Sequence, residues 1–492
     1  MTTRRTRFAP SPTGFMHIGN LRSALYTWLI SKRKDGQFIL RIEDTDQERK
    51  VEGAVDVIYQ TLAACGLTHD EGPDVGGPVG PYVQSQRLDH YKPYAEKLVA
   101  EGKAYRCFCS KESLEAQATE GPDGQNTYGY NRHCRNLSPE EIEANLAAGK
   151  PYVIRQKMPL EGETTFQDLV YGEITVANED LEDQILLKTD GFPTYNFANV
   201  IDDHEMGITH VVRGSEYLSS TPKYNLLYKA LGWEPPQYVH LPLILGTDGK
   251  KLSKRHGATS FQDLVEEGYL VTAIVNYLAF LGWAPGSDTR EIFSLEELRQ
   301  VFDESHISKS PAVFDYQKLA WYNAQYIQAM TAGDFKAWLK PFSDAFFGSQ
   351  AYDLDVLAEI LQSRMETPQQ FPEMLGFLKE TTPYEAELFN NKRQKLTPAL
   401  AKEILDVEID LLDQLPDFKR ETVHQALMDL GPARGWKTGQ VMGPPRIALS
   451  GQNVTPGGAI EIMMILGREE SMKRLKAGQK ILADYLASHP QA

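Results

Sequence analysis

A short strand, a tight turn and the start of a helix can be recognised in Arg7-Phe-Ala-Pro-Ser-Pro-Thr-Gly-Phe-Met-His17-Ile-Gly19-Asn20, close to the start of the chain. The strand is predicted at 6–9, the turn at 10–14, and the helix after the turn. The apolar residues of that helix share one face of a 3.6-residue period, and they are Leu21, Ala24, Leu25, Trp28 and Leu29. This arrangement directs unpaired backbone N–H groups and the positive end of the helix dipole at one point, which suits a phosphate group.

Two side chains of this segment suit a bound nucleotide. His17 can donate a hydrogen bond to a phosphate oxygen, and Gly19 allows a base or ribose to approach the backbone closely. The alternative is that His17 and Asn20 only cap and pack the start of the helix. A short glycine turn on its own is a weak indication of nucleotide binding.

A second cluster lies far downstream, at Lys251-Leu-Ser253-Lys254-Arg255. It follows an apolar strand predicted at 238–245 and a turn at 246–249. Three cations and a hydroxyl on a loop match a polyphosphate whose charge must be neutralised during transfer. A solvated basic loop is the alternative for this cluster alone. Together, the two clusters resemble the paired nucleotide-binding signatures of class I aminoacyl-tRNA synthetases.

Composition narrows the class of protein. The chain has 492 residues, too many for one hydrophobic core, so three or four domains are expected. It contains no apolar run near the ~20 residues that cross a bilayer, and its first residues lack the apolar centre of a signal peptide. Four cysteines do not suggest a disulfide framework, so we expect a cytoplasmic protein with no membrane partner. The net charge of −16 does not exclude a nucleic acid, since binding needs only one basic face.

The order of predicted elements indicates a multidomain α/β protein. A buried strand at 37–42 follows the first helix, and strand–helix–strand units favour a doubly wound parallel sheet. Ligands of such sheets bind beyond the carboxyl ends of the strands, which places Glu43 near His17. Between about 105 and 183, alternating segments and Gly-rich turns favour an α+β insertion. Helical periodicity dominates from 259 onward, and the chain beyond 330 is expected to be all-α.

Four motifs resemble those of bacterial glutamyl-tRNA synthetases, and they are Arg7-Phe-Ala-Pro-Ser-Pro-Thr-Gly, His17-Ile-Gly-Asn20, Arg41-Ile-Glu-Asp-Thr-Asp46 and Lys251-Leu-Ser-Lys-Arg255. Further matches occur at 82–87, 193–204, 281–283 and 314–319. The resemblance begins near residue 4 and thins beyond 350. One departure is Asn20, where many relatives carry His; an Asn can still donate to a phosphate.

The resemblance implies a division into domains. A Rossmann-type catalytic domain would occupy 1–105 and 185–257, split by an acceptor-end-binding insertion at 106–184. A helical domain that contacts the tRNA stem would follow at 258–330. A helical anticodon-binding region with two subdomains would occupy 331–492.

The resemblance also implies the chemistry and its residues. The residues for glutamate are Arg7, Ala9, Ser11, Glu43, Tyr195, Asn199 and Arg213. The residues for ATP are Pro12, His17, Gly19, Asn20, Ser253 and Lys254, and those with catalytic roles are His17, Lys251 and Lys254. Arginine suits a carboxylate through its planar donor fork, and Glu43 suits the α-ammonium. The alternative is that these are ordinary polar residues at strand ends.

The implied reaction needs no protein nucleophile. The α-carboxylate of glutamate attacks the α-phosphorus of Mg²⁺-bound ATP, and a terminal ribose hydroxyl of the tRNA then attacks the adenylate. Positioning and charge stabilisation carry such a reaction. The sequence is consistent with this, because it offers no Ser-His-Asp or Cys-His arrangement.

A zinc site is left open by the sequence. Cys107, Cys109 and Cys134 match the start of a zinc pattern that some relatives carry, but the expected final His is replaced by Asn136. The candidate fourth ligands are Tyr130 and His133. The alternative is three thiols without a metal, as in the many relatives that lack zinc.

The choice of tRNA is also left open. Arg364 aligns with a position where some relatives use Arg to contact the third anticodon base and disfavour tRNA-Gln; the alternative is an exposed helix residue. The expected partners are therefore ATP, L-glutamate and tRNA-Glu, with tRNA-Gln undecided, and the expected state is a monomer. A glutaminyl-tRNA synthetase is a competing prediction, although its relatives carry Pro-Glu-Pro-Asn near Ala9 and end in β-barrels. A non-catalytic tRNA- or nucleotide-binding paralogue is another.

Overall fold

The computed structural model describes residues 3–46, 51–115, 119–120, 126–127, 130–286 and 289–489. The chain forms two compact units. The first comprises Met1–Glu266 with Val271–Tyr316, and the second comprises Glu267–Leu270 with Gln317–Ala492. We describe each unit by itself.

The first unit combines strands and helices. Its strands are β1 (Arg5–Phe8), β2 (Gln37–Leu40), β3 (Ala104–Cys107), β4 (Thr119–Glu120), β5 (Asn126–Thr127), β6 (Val153–Gln156), β7 (Glu163–Asp168), β8 (Gly172–Ala177), β9 (Ile185–Leu187), β10 (His210–Gly214), β11 (Gln237–Leu241), β12 (Ile244–Leu245) and β13 (Ala312–Val313). Its helices are α1 (Ile18–Lys32), α2 (Ala54–Ala64), α3 (Leu88–Ala100), α4 (Lys111–Glu115), α5 (Pro139–Ala147), α6 (Tyr195–Glu205), α7 (Thr221–Leu231), α8 (Phe261–Glu266), α9 (Val271–Phe280) and α10 (Leu295–Val301).

The main sheet has six strands in the order β2-β1-β10-β11-β7-β8. The pairs from β2 to β7 are parallel, and only β7 and β8 are antiparallel. The central strands β1, β10 and β11 are largely buried, and helices α1 and α7 pack against the sheet. This parallel-rich sheet confirms the predicted α/β architecture. Its carboxyl ends carry the residues described in the next subsection.

Helix α1 is buried more completely than its pattern predicts. The one apolar face read from the sequence is buried, but so are Arg22, Tyr26 and Ile30. The Tyr26 hydroxyl donates to the carbonyl of Ala279 in α9 at 3.0 Å, and Arg22 Nη1 donates to the carbonyl of Leu281 at 3.1 Å. The second face is therefore covered by α9, and backbone carbonyls accept from the Tyr26 hydroxyl and from both terminal nitrogens of Arg22.

The segment expected to form an insertion contributes to three different sheets, one of which is the short β4–β5 pair. Strands β3, β6 and β9 form a separate three-stranded antiparallel sheet. The β7–β8 hairpin instead extends the main sheet, where Asp168 pairs in register with Tyr238 of β11. Strand β9 lies beyond the expected boundary at 184. Periodicity predicted strands in this region but carried no information on which sheet each strand joins.

The described residues of the second unit form helices joined by turns and loops, with no strand and one isolated bridge, between Asn391 and Leu396. Its helices are α12 (Ala332–Phe347), α13 (Leu354–Leu361), α14 (Phe371–Lys379), α15 (Pro398–Asp413), α16 (Arg420–Arg434), α17 (Thr438–Ser450) and α18 (Ala459–Ser488), and α11 (Tyr316–Ala329) leads into it. These helices share a buried apolar core. The all-α prediction for this part of the chain is thereby confirmed.

No helix in the described ranges combines the length and apolar character needed to span a bilayer.

Candidate active site

A buried ionic network joins the ends of β1 and β2 to helix α6. Arg7 Nε lies 3.0 Å from Asp203 Oδ1, and Arg41 Nη1 lies 2.7 Å from the same oxygen. Arg41 also contacts Glu43, with 2.8 Å between Nη2 and Oε1. All four side chains are buried. Two guanidinium groups therefore face these two carboxylates at the carboxyl edge of the sheet, and a third buried carboxylate, Asp202 Oδ2, lies 3.9 Å from Arg41 Nε.

Burial raises the pKa of each of the carboxyl groups of Asp203 and Glu43 and the neighbouring arginines lower it, but the net shift differs between the two. Burial would raise the pKa of Asp203, but Arg7 and Arg41 outweigh it and lower that pKa below its ordinary value. For Glu43, burial dominates and raises the pKa, although Arg41 and Arg7 oppose the shift. Asp203 is thus the firmly ionised partner of the two arginines. Glu43 gains from any further positive charge that comes beside it.

Arg213, in β10, is a buried cation of a different kind. It is 7% exposed, and within the described chain no carboxylate lies at ion-pairing distance from it. Its guanidinium carbon lies 5.2 Å, 4.6 Å and 5.6 Å from the ring centres of Tyr217, Tyr224 and Tyr238. Cation–π attraction stabilises the charge only in part, so the group is suited to an incoming carboxylate.

Helix α6 presents two more of the predicted residues. Tyr195 begins the helix, and its ring lies 5.4 Å from that of Tyr217. Burial raises the pKa of Tyr195, with a further contribution from Glu43, so its hydroxyl stays protonated. Asn199 is buried, and its Nδ2 has no hydrogen-bond partner among the described residues. An unpartnered buried donor at this place is available to a ligand.

The turn after β1 holds the remaining residues predicted for glutamate and part of those for ATP. Ala9 is half-buried, Ser11 is exposed and Pro12 is buried. The turn is tied to its surroundings by backbone bonds, since the carbonyl of Pro10 accepts from Glu43 N at 3.0 Å. This bond sets the predicted glutamate residues of β1 and of the segment after β2 side by side.

His17 is the N-cap residue of α1. Its Nδ1 accepts a hydrogen bond from Gly19 N at 3.0 Å, so the proton of the neutral ring resides on Nε2. Burial, together with the charge of Lys251, lowers the pKa of His17. Asn20 is exposed beside it. His17 therefore offers one neutral donor at the start of the helix, where anions are favoured.

The second predicted cluster lies against the first. The backbone of His17 bridges to Ser260, and Ile18 N donates to the carbonyl of Thr259 at 3.0 Å. Lys251 is exposed, and Ser253 N donates to His256 Nδ1 at 3.1 Å. The side chain of Lys254 lies outside the described part of the structure. The two halves of the predicted nucleotide site are thus neighbours despite their separation in sequence.

The three cysteines predicted to bind zinc also come together. The Sγ atoms of Cys107, Cys109 and Cys134 all lie within 4.8 Å of one another, and the last two are 3.5 Å apart. Tetrahedral zinc with bonds of ~2.3 Å places its sulfur ligands about 3.8 Å apart, so this spacing fits the metal. Tyr130 is buried against the cluster, and its hydroxyl oxygen accepts from Cys134 N at 3.1 Å. The other candidate ligand, His133, is exposed and is not part of the cluster.

Arg364 belongs to the second unit. It lies in the turn that follows α13, its backbone N donates to the carbonyl of Leu361 at 2.9 Å, and its side chain is exposed. The position leaves the guanidinium accessible to a partner.

Several residues of the site were not singled out from the sequence. They are Asp168, Asp203, Tyr217, Thr221, Tyr224 and His240. His240 gave one signal, because an imidazole inside an otherwise apolar strand is unusual. The others depend on contacts between distant segments.

This fold and site define a class I aminoacyl-tRNA synthetase. A family model described as the catalytic domain of class I tRNA synthetases (E and Q) matches residues 3–321, and an anticodon binding domain model matches 323–479. The chain belongs to the glutamate–tRNA ligase family. It is 52% identical to the glutamate–tRNA ligase of Clostridium acetobutylicum over 474 residues, which cover 96% of this chain and 98% of the relative.

Two further comparisons agree with that membership. The glutamate–tRNA ligase of Clostridium novyi is 52% identical over 477 residues, covering 96% of this chain and 97% of the relative. A crystal structure of the glutamate–tRNA synthetase of Elizabethkingia anophelis superposes with a TM-score of 0.86 and 35% identity, covering 97% of this chain and all of that one. A class I synthetase that uses ATP works with a divalent metal such as Mg²⁺.

Proposed function

We propose that this site activates L-glutamate with Mg²⁺-bound ATP and transfers it to the 3′-terminal adenosine of tRNA-Glu. The observation that carries the proposal is Arg213, a buried cation that faces no carboxylate of the described chain. A buried unpaired charge is costly, and a ligand carboxylate removes that cost. An amino acid without a side-chain carboxylate would leave it in place.

The residues around Arg213 fit the other groups of glutamate. Glu43 is suited to the α-ammonium, because a new positive charge would offset the burial of this carboxylate. Asn199 Nδ2 and the protonated Tyr195 hydroxyl supply donors. Arg7 contributes positive potential while it stays paired with Asp203. Ala9 and Ser11 complete the pocket on the turn after β1.

The nucleotide occupies the neighbouring part of the site. Pro12, Gly19 and Asn20 line the turn and helix start, and His17 donates to a phosphate through Nε2. Lys251, Ser253 and Lys254 approach from the adjoining loop. The α-carboxylate attacks the α-phosphorus in line, pyrophosphate leaves, and Lys254 neutralises the charge that develops. Bound with ATP, Mg²⁺ would supply further neutralisation of the phosphates.

The tRNA is assigned to the remainder of the chain. The three-stranded sheet β3-β6-β9 and its connections are suited to the acceptor end, the helices from 258 to 330 to the stem, and the second unit to the anticodon. A ribose hydroxyl of the terminal adenosine then attacks the adenylate carbonyl. The exposed Arg364 contacts the third anticodon base and disfavours tRNA-Gln. We assign the protein to the cytoplasm as a monomer.

Zinc is assigned to the cysteine cluster. Cys107, Cys109 and Cys134 would supply three sulfur ligands, and Tyr130 would supply an oxygen as the fourth. The metal would hold the segment around β3 to the turn at 130–136. This role is structural, because four protein ligands leave no position for a substrate.

The test of the proposed activity is ATP–pyrophosphate exchange in the presence of tRNA, with glutamate or glutamine as the amino acid. Exchange that depends on glutamate supports the proposal. Exchange that depends on glutamine would indicate a glutaminyl-tRNA synthetase. A chain that binds tRNA and ATP without exchange would be a non-catalytic paralogue.

A further inference from the structure

A chain of hydrogen bonds runs from the β7–β8 hairpin to Arg213. Asp168 Oδ2 lies 2.7 Å from Nδ1 of His240, and His240 Nε2 lies 3.1 Å from Nε of Arg213. His240 and Arg213 are register partners on adjacent strands. All three side chains are buried. The chain therefore links the last residue of β7 to the cation assigned to the substrate.

Asp168 determines which atom donates and which accepts in each of these hydrogen bonds. Its Oδ1 accepts from the backbone N of Val170 at 2.9 Å and of Tyr171 at 2.8 Å. Its Oδ2 accepts from the backbone N of His240 at 3.1 Å and must also accept from Nδ1, because an ionised carboxylate has no proton to give. The proton of the neutral imidazole is thus on Nδ1. Nε2 is left as an acceptor for Arg213.

The electrostatics favour the same neutral form. Burial lowers the pKa of His240, and the neighbouring Arg213 lowers it further, against the opposing influence of Asp168. A protonated ring would set a second cation against the guanidinium and remove the acceptor. The neutral ring does neither.

Two contacts hold the guanidinium in its plane. Nε donates to His240, and Nη2 donates to Thr221 Oγ1 at 3.0 Å, while the hydroxyl of Thr221 donates to the carbonyl of Tyr217 at 2.8 Å. Nη1 has no hydrogen-bond partner within the part of the chain that the structure describes. The rigid fork therefore leaves one edge open to a carboxylate.

We propose that Asp168 and His240 are positioning residues that orient Arg213 and thereby set the preference for glutamate over glutamine. This inference rests on the function proposed above. A fixed guanidinium accepts a carboxylate but is left unpaired by an amide, which discriminates strongly between the two amino acids. A guanidinium free to rotate could turn toward other acceptors and lose part of that discrimination.

A simpler role must be separated from this one. Only Asp168 pairs in register between β7 and β11, so its side chain could serve merely to attach the hairpin to the sheet. A purely structural role would affect stability and all kinetic parameters together. A positioning role affects glutamate selectively.

The decisive variant is Asp168→Asn. The amide oxygen can keep the bonds from Val170 and Tyr171, which turns the amide nitrogen toward Nδ1 of His240 and removes the acceptor of the His240 backbone N. That nitrogen donates to Nδ1, so the imidazole proton moves to Nε2 and opposes the Nε–H of Arg213. We expect the KM for glutamate in tRNA charging to rise about 10- to 100-fold, with the KM for ATP within about twofold of wild type. The preference over glutamine, as a ratio of kcat/KM values, falls.

Two substitutions at His240 separate an effect on the glutamate KM from an effect on folding. His240→Gln retains an acceptor for Arg213 and a donor for Asp168, so its glutamate KM should stay within about threefold of wild type. His240→Leu removes both and should match Asp168→Asn. Thr164→Val is the matched control on the hairpin, because it removes a 2.6 Å bond from Thr164 to Asn178 at the far end. It should lower the melting temperature without changing the KM for glutamate.

The outcomes separate the two proposals. If wild type does not charge tRNA with glutamate, the proposed function fails and this inference falls with it. If wild type charges tRNA but Asp168→Asn keeps its KM for glutamate, the positioning role alone is wrong. If the KM values for glutamate and for ATP rise together, and rise most in the variants with the lowest melting temperatures, the hydrogen bonds from Asp168 to Arg213 serve only stability. That result would also contradict the positioning role.

Discussion

Asp203 and Arg7 form a buried ion pair, with 3.0 Å between Oδ1 and Nε and 3% of each side chain exposed. The same oxygen lies 2.7 Å from Arg41 Nη1. One carboxylate thus serves two guanidinium groups at the edge of the sheet, whereas Arg213 has no carboxylate partner among the residues that the structure describes. This difference separates an arginine held by the fold from the one that we propose receives the substrate carboxylate.

Replacement of Asp203 by Ala should destabilise the first unit strongly. It leaves the buried guanidinium of Arg7 without its carboxylate partner and removes one of the carboxylates of Arg41, and the loss of one partner from a buried pair costs about 3–5 kcal/mol. The measurement is the free energy of unfolding from urea titration. As a matched control, Glu101→Ala removes the exposed 2.7 Å pair with Lys103 and should leave the unfolding midpoint unchanged.

The same pair predicts a dependence on pH. The pKa of Asp203 is lowered in the folded chain, so the unfolded chain binds its proton first as the pH falls. The stabilisation is fully present above about pH 5, where both states are ionised, and is lost as the pH falls through the unfolded-state and then the folded-state pKa. The stability difference between wild type and Asp203→Asn should therefore be constant from pH 7 to 5 and shrink below. A difference that grows on acidification would contradict the assignment.

Arg213→Ala should raise the KM for glutamate by about 100-fold or more, because the substrate carboxylate loses its buried counter-charge. The KM for ATP should change little. Arg5→Ala is the control. Arg5 begins β1, at the end of the strand away from the proposed glutamate site, and its Nη1 lies 2.7 Å from Glu71 Oε1. Steady-state charging of tRNA measures both. An unchanged glutamate KM in Arg213→Ala would remove Arg213 from the glutamate site.

Lys254→Ala should act on the rate. We expect kcat for adenylate formation to fall about 100- to 1,000-fold with little change in glutamate binding, because the lysine stabilises charge that appears during transfer. The exposed Lys250 of the same loop provides the control, and Lys250→Ala should retain kcat. Single-turnover kinetics separate the two parameters. Equal losses in binding and rate would refute a role confined to the transition state.

The cysteine cluster should bind about one zinc ion per chain, measured by metal analysis of the purified protein. Cys134→Ser should lose the metal and loosen the segment around β3, seen as faster amide exchange there. Cys65→Ser is the control, because Cys65 is buried apart from the cluster at the end of α2. If protein produced in zinc-containing medium and then purified contains no zinc, the proposed zinc site is wrong.

The sequence predicted the parts of this fold that depend on local pattern. The strand before His17, the helix after it and the all-α second unit each follow from periodicity and turn residues. The β7–β8 hairpin could not be placed, because which sheet a strand joins depends on partners elsewhere in the chain. Asp203 and His240 were missed for the same reason. His240 meets Asp168 across 72 residues, and no spacing rule encodes that contact.

The central claim is tested most directly by charging tRNA-Glu and tRNA-Gln in parallel with glutamate and ATP, using wild type and Arg364→Ala. We predict that wild type charges tRNA-Glu, and that its low activity on tRNA-Gln rises in Arg364→Ala. Charging of both tRNAs by wild type would retain the ligase and remove the discriminating role of Arg364. No charging of either tRNA, with both shown to be intact, would contradict the account.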